Sequence, residues 1–225
     1  MALVNILERA GALPRDRAAR DAYNGPPAYR LADWRLRINA LYETVRAAET
    51  GQEGWQIWRD TRRCLFQSHP MSPIAAPKRT HYKGPIVFAY DPDLRFAVDL
   101  LPADGPAETV NLGNDGAIRR HPVARTLGLM QRLGGELTLY WIEGYGGGLF
   151  LPFADATRGG ATYGGGRYLI DAIKGADLGL NPSGKLILDF NFAYHPSCAH
   201  NPDYVCPLAP SENLLPAAIR AGERL

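Results

Sequence analysis

The sequence lacks the features that mark a secreted, membrane-spanning or polyanion-binding protein. Its first residues, MALVNILERAGALPRDR, do not show the basic start, apolar run and small-residue cleavage site of a signal peptide. No apolar run approaches the roughly 20 residues that a membrane span requires. The net charge is only +2, and no basic run is interleaved with aromatic residues. We therefore expect a soluble, cytoplasmic protein with neither a nucleic-acid partner nor a membrane partner.

Cysteine is scarce as well, with three residues in 225. An odd and small number of cysteines favours reduced thiols over a disulfide framework. No cofactor motif is recognised, so no cofactor is expected, and nothing in the sequence indicates an oligomeric state. The hydrophobic fraction of 46% is, in contrast, sufficient for a sizeable core.

The first third of the chain is predicted to be helical. We interpret residues 1–30 as an N-terminal arm and residues 31–69 as a helical hairpin packed on a sheet. The apolar spacing predicts one helix from Asp33, its N-cap, to about Glu49, and a second from about Gln52 to Ser68. His69 precedes a proline and so ends the second helix.

Residues 70–225 are predicted to form an antiparallel β domain. Short apolar runs alternate with Gly, Pro, Asp and Asn, and no helical segments separate them; the runs are IVFAY, RFAVDLL, ETVNL, ELTLYWI, GLFLPF, RYLIDAI and KLILDFNF. The stretch 122–133 fits either a helix or a strand, and we favour a strand. The predicted fold class is therefore mainly β (α+β), an antiparallel sandwich or barrel preceded by two N-terminal helices.

A glycine-rich motif occurs twice, as YGGGLFL at 145–151 and YGGGRYL at 163–169. Three glycines before a strand allow a positive φ or a close approach of two backbones, with the aromatic residue packing across the sheet. A phosphate-binding loop is the alternative, but no helix follows either motif to supply its N-terminal amides. We favour the tight-turn interpretation.

The segment 188–216, LDFNFAYHPSCAHNPDYVCPLAPSENLLP, concentrates reactive side chains on an irregular backbone, and we interpret its proline-rich remainder beyond Asp189 and Asn191 as a C-terminal clasp. Asp189 and Asn191 alternate with apolar residues and are expected on one face of a strand, with Arg167 as their charge partner. The predicted ligand-binding residues are Tyr163, Arg167, Asp189, Asn191 and Tyr194. The alternative is a buried ion pair and amide network that fixes the loop to the sheet.

Three residues are candidates for acid–base catalysis: His69, Asp189 and Tyr194. His69 would act as a base only if the fold brought it within hydrogen-bond reach of Asp189 or Tyr194. A simpler role for His69 is to cap the end of the second helix. Asn213 is expected to hold backbone groups in a turn.

Two imidazoles and two thiols in the loop suggest a zinc site as a less favoured interpretation. The residues are His195, Cys198, His200 and Cys206, but their spacing matches no known zinc motif, and no bound metal is expected. Cys198 and Cys206 also suggest a redox pair, although their separation exceeds that of a Cys-x-x-Cys motif.

At three motifs the chain resembles the bacterial and archaeal domain-of-unknown-function family numbered 1684. The motifs are HPMSPI at 69–74, FADATRGGATYGGGRYL at 153–169 and the segment 188–216. The resemblance covers about residues 55–225 and implies no activity. Positions that match the family pattern are Asp155, Thr157, Thr162, Tyr163, Arg167, Asp189, Asn191, Tyr194, Cys198, Cys206 and Asn213. His195 and His200 depart from it, since the family usually has Asn and an aromatic residue there.

Two functions remain open. The first is binding of a small polar or carboxylate-bearing molecule in a cleft, with hydrolase-type or proton-transfer chemistry. The second is a non-catalytic structural or protein-interaction module whose polar motif locks the C-terminal loop. Convergence of Arg167, Asp189 and Asn191 around an open cavity would favour the first, and a closed hydrogen-bond network the second.

Overall fold

The computed structural model describes residues 25–225, so most of the predicted N-terminal arm lies outside the described residues. Two compact units divide the chain: one ends at Pro85 and includes Lys174–Ala176, and the other comprises Ile86–Ile173 and Asp177–Leu225. The prediction that the helices pack on the sheet stays a prediction.

The first unit contains α1 (Pro27–Arg46), α2 (Gly51–Ser68) and the short α3 (Ala76–Arg79). The helix α1 begins six residues before the predicted N-cap Asp33, because Pro27 at the first helical position is compatible with a helix start. Thr50 caps α2: its hydroxyl accepts a hydrogen bond from the Glu53 backbone N–H, while the Glu53 carboxylate accepts one from the Glu49 N–H. The two predicted helices are confirmed.

The second unit is a β domain. Its strands are β1 (Ile86–Val87), β2 (Arg95–Pro102), β3 (Glu108–Asn111), β4 (Ala117–Leu127), β5 (Thr138–Ile142), β6 (Gly148–Phe153), β7 (Arg167–Asp171), β8 (Leu186–Asp189) and β9 (Glu223–Arg224). Each apolar run predicted as a strand contains one of them. The stretch 122–133 divides at Gly128 into the end of β4 and a short helix, α4 (Met130–Leu133).

The main sheet has the strand order β7-β6-β5-β4-β2-β8, and β3 pairs with the first half of β4. The pairs in this sheet are antiparallel, and β1 pairs with β9 in a separate two-stranded sheet. After β8 the chain turns back to β7, where Tyr168 and Tyr194 exchange two backbone hydrogen bonds of 2.9 and 3.1 Å. The sheet is therefore barrel-like and nearly closed, which confirms the predicted antiparallel β class.

One side of the sheet lines an apolar core. It includes Val98, Leu139, Leu151, Phe153, Ile170 and Leu188, together with Leu215, Ile219 and Ala221 of the C-terminal segment. On the opposite side Phe150 and Tyr168, the aromatic residues of the two glycine motifs, pack edge to face with ring centroids 4.8 Å apart. The predicted cross-sheet packing of these motifs is confirmed.

The clasp, defined as residues 196–216, is fixed to the sheet at several points. Asn213, which is fully buried, accepts from the Thr138 N–H and donates to the carbonyls of Thr138 and Pro152, so it ties β5 to β6. The Tyr168 hydroxyl donates to the Pro207 carbonyl at 2.6 Å. Gly166 has φ +91°, and a Cβ there would lie 2.7 Å from the Cβ of Ala209 in the clasp, so only glycine allows this approach.

No helix between residues 25 and 225 combines the length and the apolar character needed to cross a bilayer.

Candidate functional site

Two cysteines and a tyrosine meet where the clasp passes the loop before β7. Cys198 lies in a 3₁₀ turn (Ser197–Ala199) that follows Pro196, and its backbone N–H donates to Cys206 Sγ at 3.4 Å. Cys198 Sγ lies 3.7 Å from the Tyr163 hydroxyl oxygen. Both cysteines are thiols and are partly accessible. We call Tyr163, Cys198 and Cys206 the thiol site.

The surroundings of Cys198 favour its thiolate. Its pKa is lowered to about 6, principally by the hydrogen bond from Cys206, against the effect of burial and with help from the Tyr163 hydroxyl and backbone N–H groups. The pKa of Tyr163 is raised, first of all by its hydrogen bond with Cys198. The phenol therefore stays protonated and can donate to sulfur at neutral pH.

A second polar group lies beside the thiol site and consists of His195, His200 and Glu223. Glu223 is fully buried, and its Oε2 accepts from the His195 backbone N–H at 2.7 Å. The same oxygen lies 4.0 Å from His195 Nδ1 and 3.9 Å from His200 Nε2. Gly222 allows this approach, since it has φ +72° and a Cβ there would lie 2.4 Å from the Ala193 carbonyl.

Among the described residues, the donor atoms of His195, His200 and Glu223 lie close enough together to hold a metal ion. These atoms are all within 4.8 Å of one another. The less favoured zinc set of His195, Cys198, His200 and Cys206 is therefore not the group that the structure assembles. His195 Nε2 accepts from the Tyr163 N–H at 3.2 Å, which places the ring proton on Nδ1, toward Glu223. A metal on Nδ1 would need that proton on Nε2, where it would face the N–H donor. His195 is thus better placed to support Tyr163 than to bind a metal.

Arg167 does not meet Asp189, and the predicted charge pair is wrong. The fully buried guanidinium donates to Asp155 Oδ2 at 2.7 Å and to the carbonyls of Ile219, Ala221 and Glu223. Asp155 Oδ1 accepts from Thr157 and from the Ile219 N–H. Because the C-terminal segment supplies three carbonyls to Arg167, this buried network attaches that segment to β7 instead of lining a cleft, although Arg167 Nε has no hydrogen-bond partner among the described residues.

Asp189 and Asn191 do not lie on one face of a strand as predicted. The strand β8 ends at Asp189, and the chain then enters a 3₁₀ turn (Phe190–Phe192). Asp189 Oδ1 caps this turn, while Oδ2 pairs with Arg95 Nη1 at 3.2 Å. Burial raises the pKa of Asp189, and its hydrogen bonds with Asn191 and Arg95 oppose that rise. The Asn191 amide exchanges two hydrogen bonds with the backbone of Asp91. Both side chains hold backbone in place.

Tyr194 lies beside the closure of the sheet. Its hydroxyl donates to Asp171 Oδ2 at 3.4 Å, and its ring packs edge to face against Tyr168, with centroids 5.7 Å apart. Burial raises the pKa of Tyr168 well above the ordinary value. Of the five residues predicted to bind a ligand, Tyr163 is the one that contacts a partly accessible reactive group.

Comparison with known proteins shows one family whose model matches this chain. Residues 80–224 match the family model described as "Protein of unknown function (DUF1684)". The chain belongs to this family. The match begins after both long helices, whereas the resemblance noted from motifs began near residue 55, so HPMSPI lies outside the matched range.

An experimentally determined structure is also similar to this chain. It is the solution NMR structure of an uncharacterised protein from Haloarcula marismortui, 33% identical, which covers 76% of this chain and 91% of its own with a TM-score of 0.51. No curated protein sequence matches the chain. The comparisons therefore establish an uncharacterised family and no activity.

His69, the remaining catalytic candidate, is held within the helical unit. Its backbone N–H bonds to Leu65 at the end of α2, its Nδ1 accepts from the Met71 N–H, and its Nε2 lies 3.0 Å from Asp33 Oδ2. Burial lowers the pKa of His69, although Asp33 opposes this. These contacts fit a structural role at the helix end.

Sequence reasoning missed Glu223 and assigned no role to Asp155 beyond its match to the family pattern. Asp155 and Arg167 both lie in the recognised motif at 153–169. Their proximity in the sequence is consistent with their pairing, because β6 and β7 are neighbouring strands. Glu223 lies in the featureless stretch AGERL, and its role depends on β9 pairing with β1, more than 130 residues earlier in the chain. No local signal identifies it.

Proposed function

We propose that this DUF1684 protein binds a small polar molecule at the thiol site and that Cys198 acts on it as a nucleophile. The observation that carries the proposal is the position of the Cys198 sulfur, which lies beside both the Tyr163 hydroxyl and Cys206 in a partly accessible loop. The thiolate is the reactive form of cysteine, and hydrogen-bond donors favour it.

The support around the site fits this role. The Tyr163 backbone is held by His195, whose own backbone is held by the buried carboxylate of Glu223. The clasp on the other side is fixed by Tyr168 and Asn213. A reactive side chain held on a braced loop loses little conformational freedom when a ligand binds. The proposal includes a cytoplasmic location, where such a thiol stays reduced.

The ligand we propose is polar but need not carry a carboxylate group. A carboxylate-binding cleft was predicted from Arg167, yet both terminal nitrogens of Arg167 are used by protein oxygens. The thiol site instead offers a phenol donor and a thiolate. These groups suit an electrophilic atom with a neighbouring oxygen that can accept a hydrogen bond.

A second candidate function is a non-catalytic structural or interaction module. The buried network of Arg167, Asp155 and the carbonyls of Ile219, Ala221 and Glu223 favours it. This network and the thiol site involve different side chains, so one experiment can separate the two proposals.

The experiment measures the alkylation rate of each cysteine by iodoacetamide between pH 5 and 9, with the sites resolved by peptide mass spectrometry. Cys64 is an internal reference, because burial raises its pKa. We expect the rate at Cys198 to reach half its plateau at about pH 6 and to exceed the rate at Cys64 by roughly tenfold at that pH, after allowing for the weaker nucleophilicity of a low-pKa thiolate.

Unfolded protein supplies the control, since denaturation should make the two pH profiles coincide. A folded protein in which Cys198 reacts no faster than Cys64 and titrates near the ordinary cysteine pKa would support the structural module instead.

A further inference from the structure

The clasp brings together two thiols that are eight positions apart in the sequence. The Cys198 backbone N–H reaches Cys206 Sγ at 3.4 Å, so the sulfur of one cysteine lies against the turn that contains the other. The Cys206 side chain also hydrogen-bonds to Cys198. The second thiol therefore hydrogen-bonds to the proposed nucleophile and lies beside it.

The two cysteines differ in their environment. Cys198 faces the Tyr163 hydroxyl at 3.7 Å, while Cys206 is followed by Pro207, whose carbonyl is held by Tyr168. One thiol therefore has a donor beside it, and the other is held nearby by the clasp. This asymmetry is what an attacking and a resolving cysteine need, because the first must be a thiolate and the second must reach the sulfur of the first.

We propose that Cys198 and Cys206 are a redox-active pair that a small hydroperoxide oxidises to an intramolecular disulfide. This inference rests on the thiol site proposed above and names its substrate class. A hydroperoxide fits because its breaking O–O bond releases an oxygen that the Tyr163 hydroxyl is placed to protonate.

The first step begins with attack by the Cys198 thiolate on the terminal oxygen of the hydroperoxide. An S–O bond forms and the O–O bond breaks, which leaves a sulfenic acid on Cys198 and an alkoxide. The alkoxide takes a proton from the Tyr163 hydroxyl, which regains one from water, and leaves as an alcohol (or as water, when the oxidant is hydrogen peroxide).

In the second step the Cys206 sulfur attacks the Cys198 sulfur. An S–S bond forms, the S–O bond breaks, and the departing hydroxide combines with the Cys206 thiol proton as water. Two thiols have then lost two electrons and the hydroperoxide has gained two. A thiol reductant returns the disulfide to the dithiol.

The test treats the full-length protein with one equivalent of hydrogen peroxide at pH 7, blocks the remaining thiols with an alkylating agent and maps the cysteines by mass spectrometry. We expect a Cys198–Cys206 disulfide, Cys64 still alkylated, and recovery of both thiols with dithiothreitol. Cys206→Ser should stop at a sulfenic acid on Cys198 that dimedone traps, and Cys198→Ser should leave Cys206 reduced. Cys64→Ser is the matched control and should still form the disulfide.

Oxidation of Cys206 in Cys198→Ser at the rate of the parent protein would overturn the assigned order of attack. A second arm replaces the peroxide with oxidised glutathione, and a disulfide formed only in that arm would overturn the substrate class. A protein that keeps both thiols after peroxide while Cys198 still alkylates rapidly at pH 6 would refute this inference and leave the nucleophile proposal intact. Slow alkylation of Cys198 would refute the nucleophile proposal itself.

Discussion

Cys64 and Cys198 are both half-buried thiols, and their pKa values move in opposite directions. Burial dominates at Cys64, where Arg63 opposes it and the Asp60 carboxylate adds to it, so the pKa rises. At Cys198 burial acts in the same direction but is outweighed by the donors that surround the sulfur. Hydrogen-bond partners, more than burial, decide the direction of the pKa shift at these two cysteines.

Tyr163→Phe isolates one of these donors. Removal of the hydroxyl should raise the pKa of Cys198 by about one unit, because the thiolate loses a hydrogen bond while its burial is unchanged. The measurement is the midpoint of the Cys198 alkylation rate against pH. Tyr145→Phe is the matched control. Because Tyr145 is fully exposed, this substitution should leave the midpoint of the Cys198 alkylation rate unchanged. An unchanged midpoint in Tyr163→Phe would mean that the phenol does not stabilise the thiolate.

The residues of the thiol site could be selected from sequence, but the full group could not. The sequence suggests Cys198 and Cys206 as metal ligands or as a redox pair, yet it associates Tyr163 with Arg167 and not with the cysteines. The grouping depends on how an irregular, proline-rich loop folds back on itself. No periodicity describes such a loop, so contacts within it cannot be deduced from spacing.

Among the elements, the corner between β4 and β5 depends on a single carboxylate. The Glu136 side chain accepts hydrogen bonds from the Thr126 hydroxyl and from the backbone N–H groups of Gly128, Leu129 and Met130. Burial acts to raise the pKa of Glu136, but these hydrogen bonds together lower it. The carboxylate therefore stabilises the fold above its ordinary pKa, and this contribution is lost as the pH falls through the lowered value.

Glu136→Gln tests this corner. We expect a loss of about 2 kcal/mol in the free energy of unfolding at pH 7, because an amide cannot accept four hydrogen bonds and turns a donor toward other donors. At about pH 3, below the ordinary glutamate pKa, the stabilisation by the carboxylate is being lost, so the difference should shrink. Urea denaturation at both pH values measures it. A difference that is equal at the two pH values would contradict the assigned charge.

The strands of the sheet were largely predictable because alternation and turn residues define them locally. The exceptions have tertiary causes. Asn191 was placed on a strand, but the Asp189 side chain caps a turn there and the Asn191 amide binds the distant Asp91 backbone. The strand β9 has only two residues and exists through its pairing with β1. The start of α1 was missed because Pro27 at a first helical position resembles a loop signal.

For the molecule as a whole, the Arg167 network is expected to contribute strongly to stability. One guanidinium joins Asp155, after β6, to three carbonyls of the C-terminal segment, and all of its partners are buried. A guanidinium is the side chain that can supply this many donors in one plane. Its removal leaves a buried carboxylate and three carbonyls without their donor.

Arg167→Met should therefore lower the free energy of unfolding by about 3 to 5 kcal/mol. The matched control is Lys185→Met, which breaks the exposed pair with Asp99 and should cost about 1 kcal/mol or less. Denaturant unfolding of both variants measures the difference. Equal losses in the two variants would show that the network does not hold the C-terminal segment.

The overall class was predictable and the closure was not. Repeated short strands without intervening helices indicate an antiparallel β domain, and the sheet confirms it. Its closure depends on two backbone hydrogen bonds between Tyr168 and Tyr194, beyond the regular end of β8. Hydrogen bonds between main-chain atoms do not affect the pattern of apolar and polar side chains. The sequence therefore could not distinguish a sandwich from a barrel.

Direct titration tests whether Cys198 is a thiolate at neutral pH. Protein labelled with ¹³C at the cysteine Cβ atoms would be titrated by NMR from pH 5 to 10, with Cys198→Ser used to assign its resonance. We expect the Cys198 signal to titrate with a pKa of about 6 and the Cys64 signal above its ordinary value. A Cys198 signal that titrates with or above that of Cys64 would contradict the account.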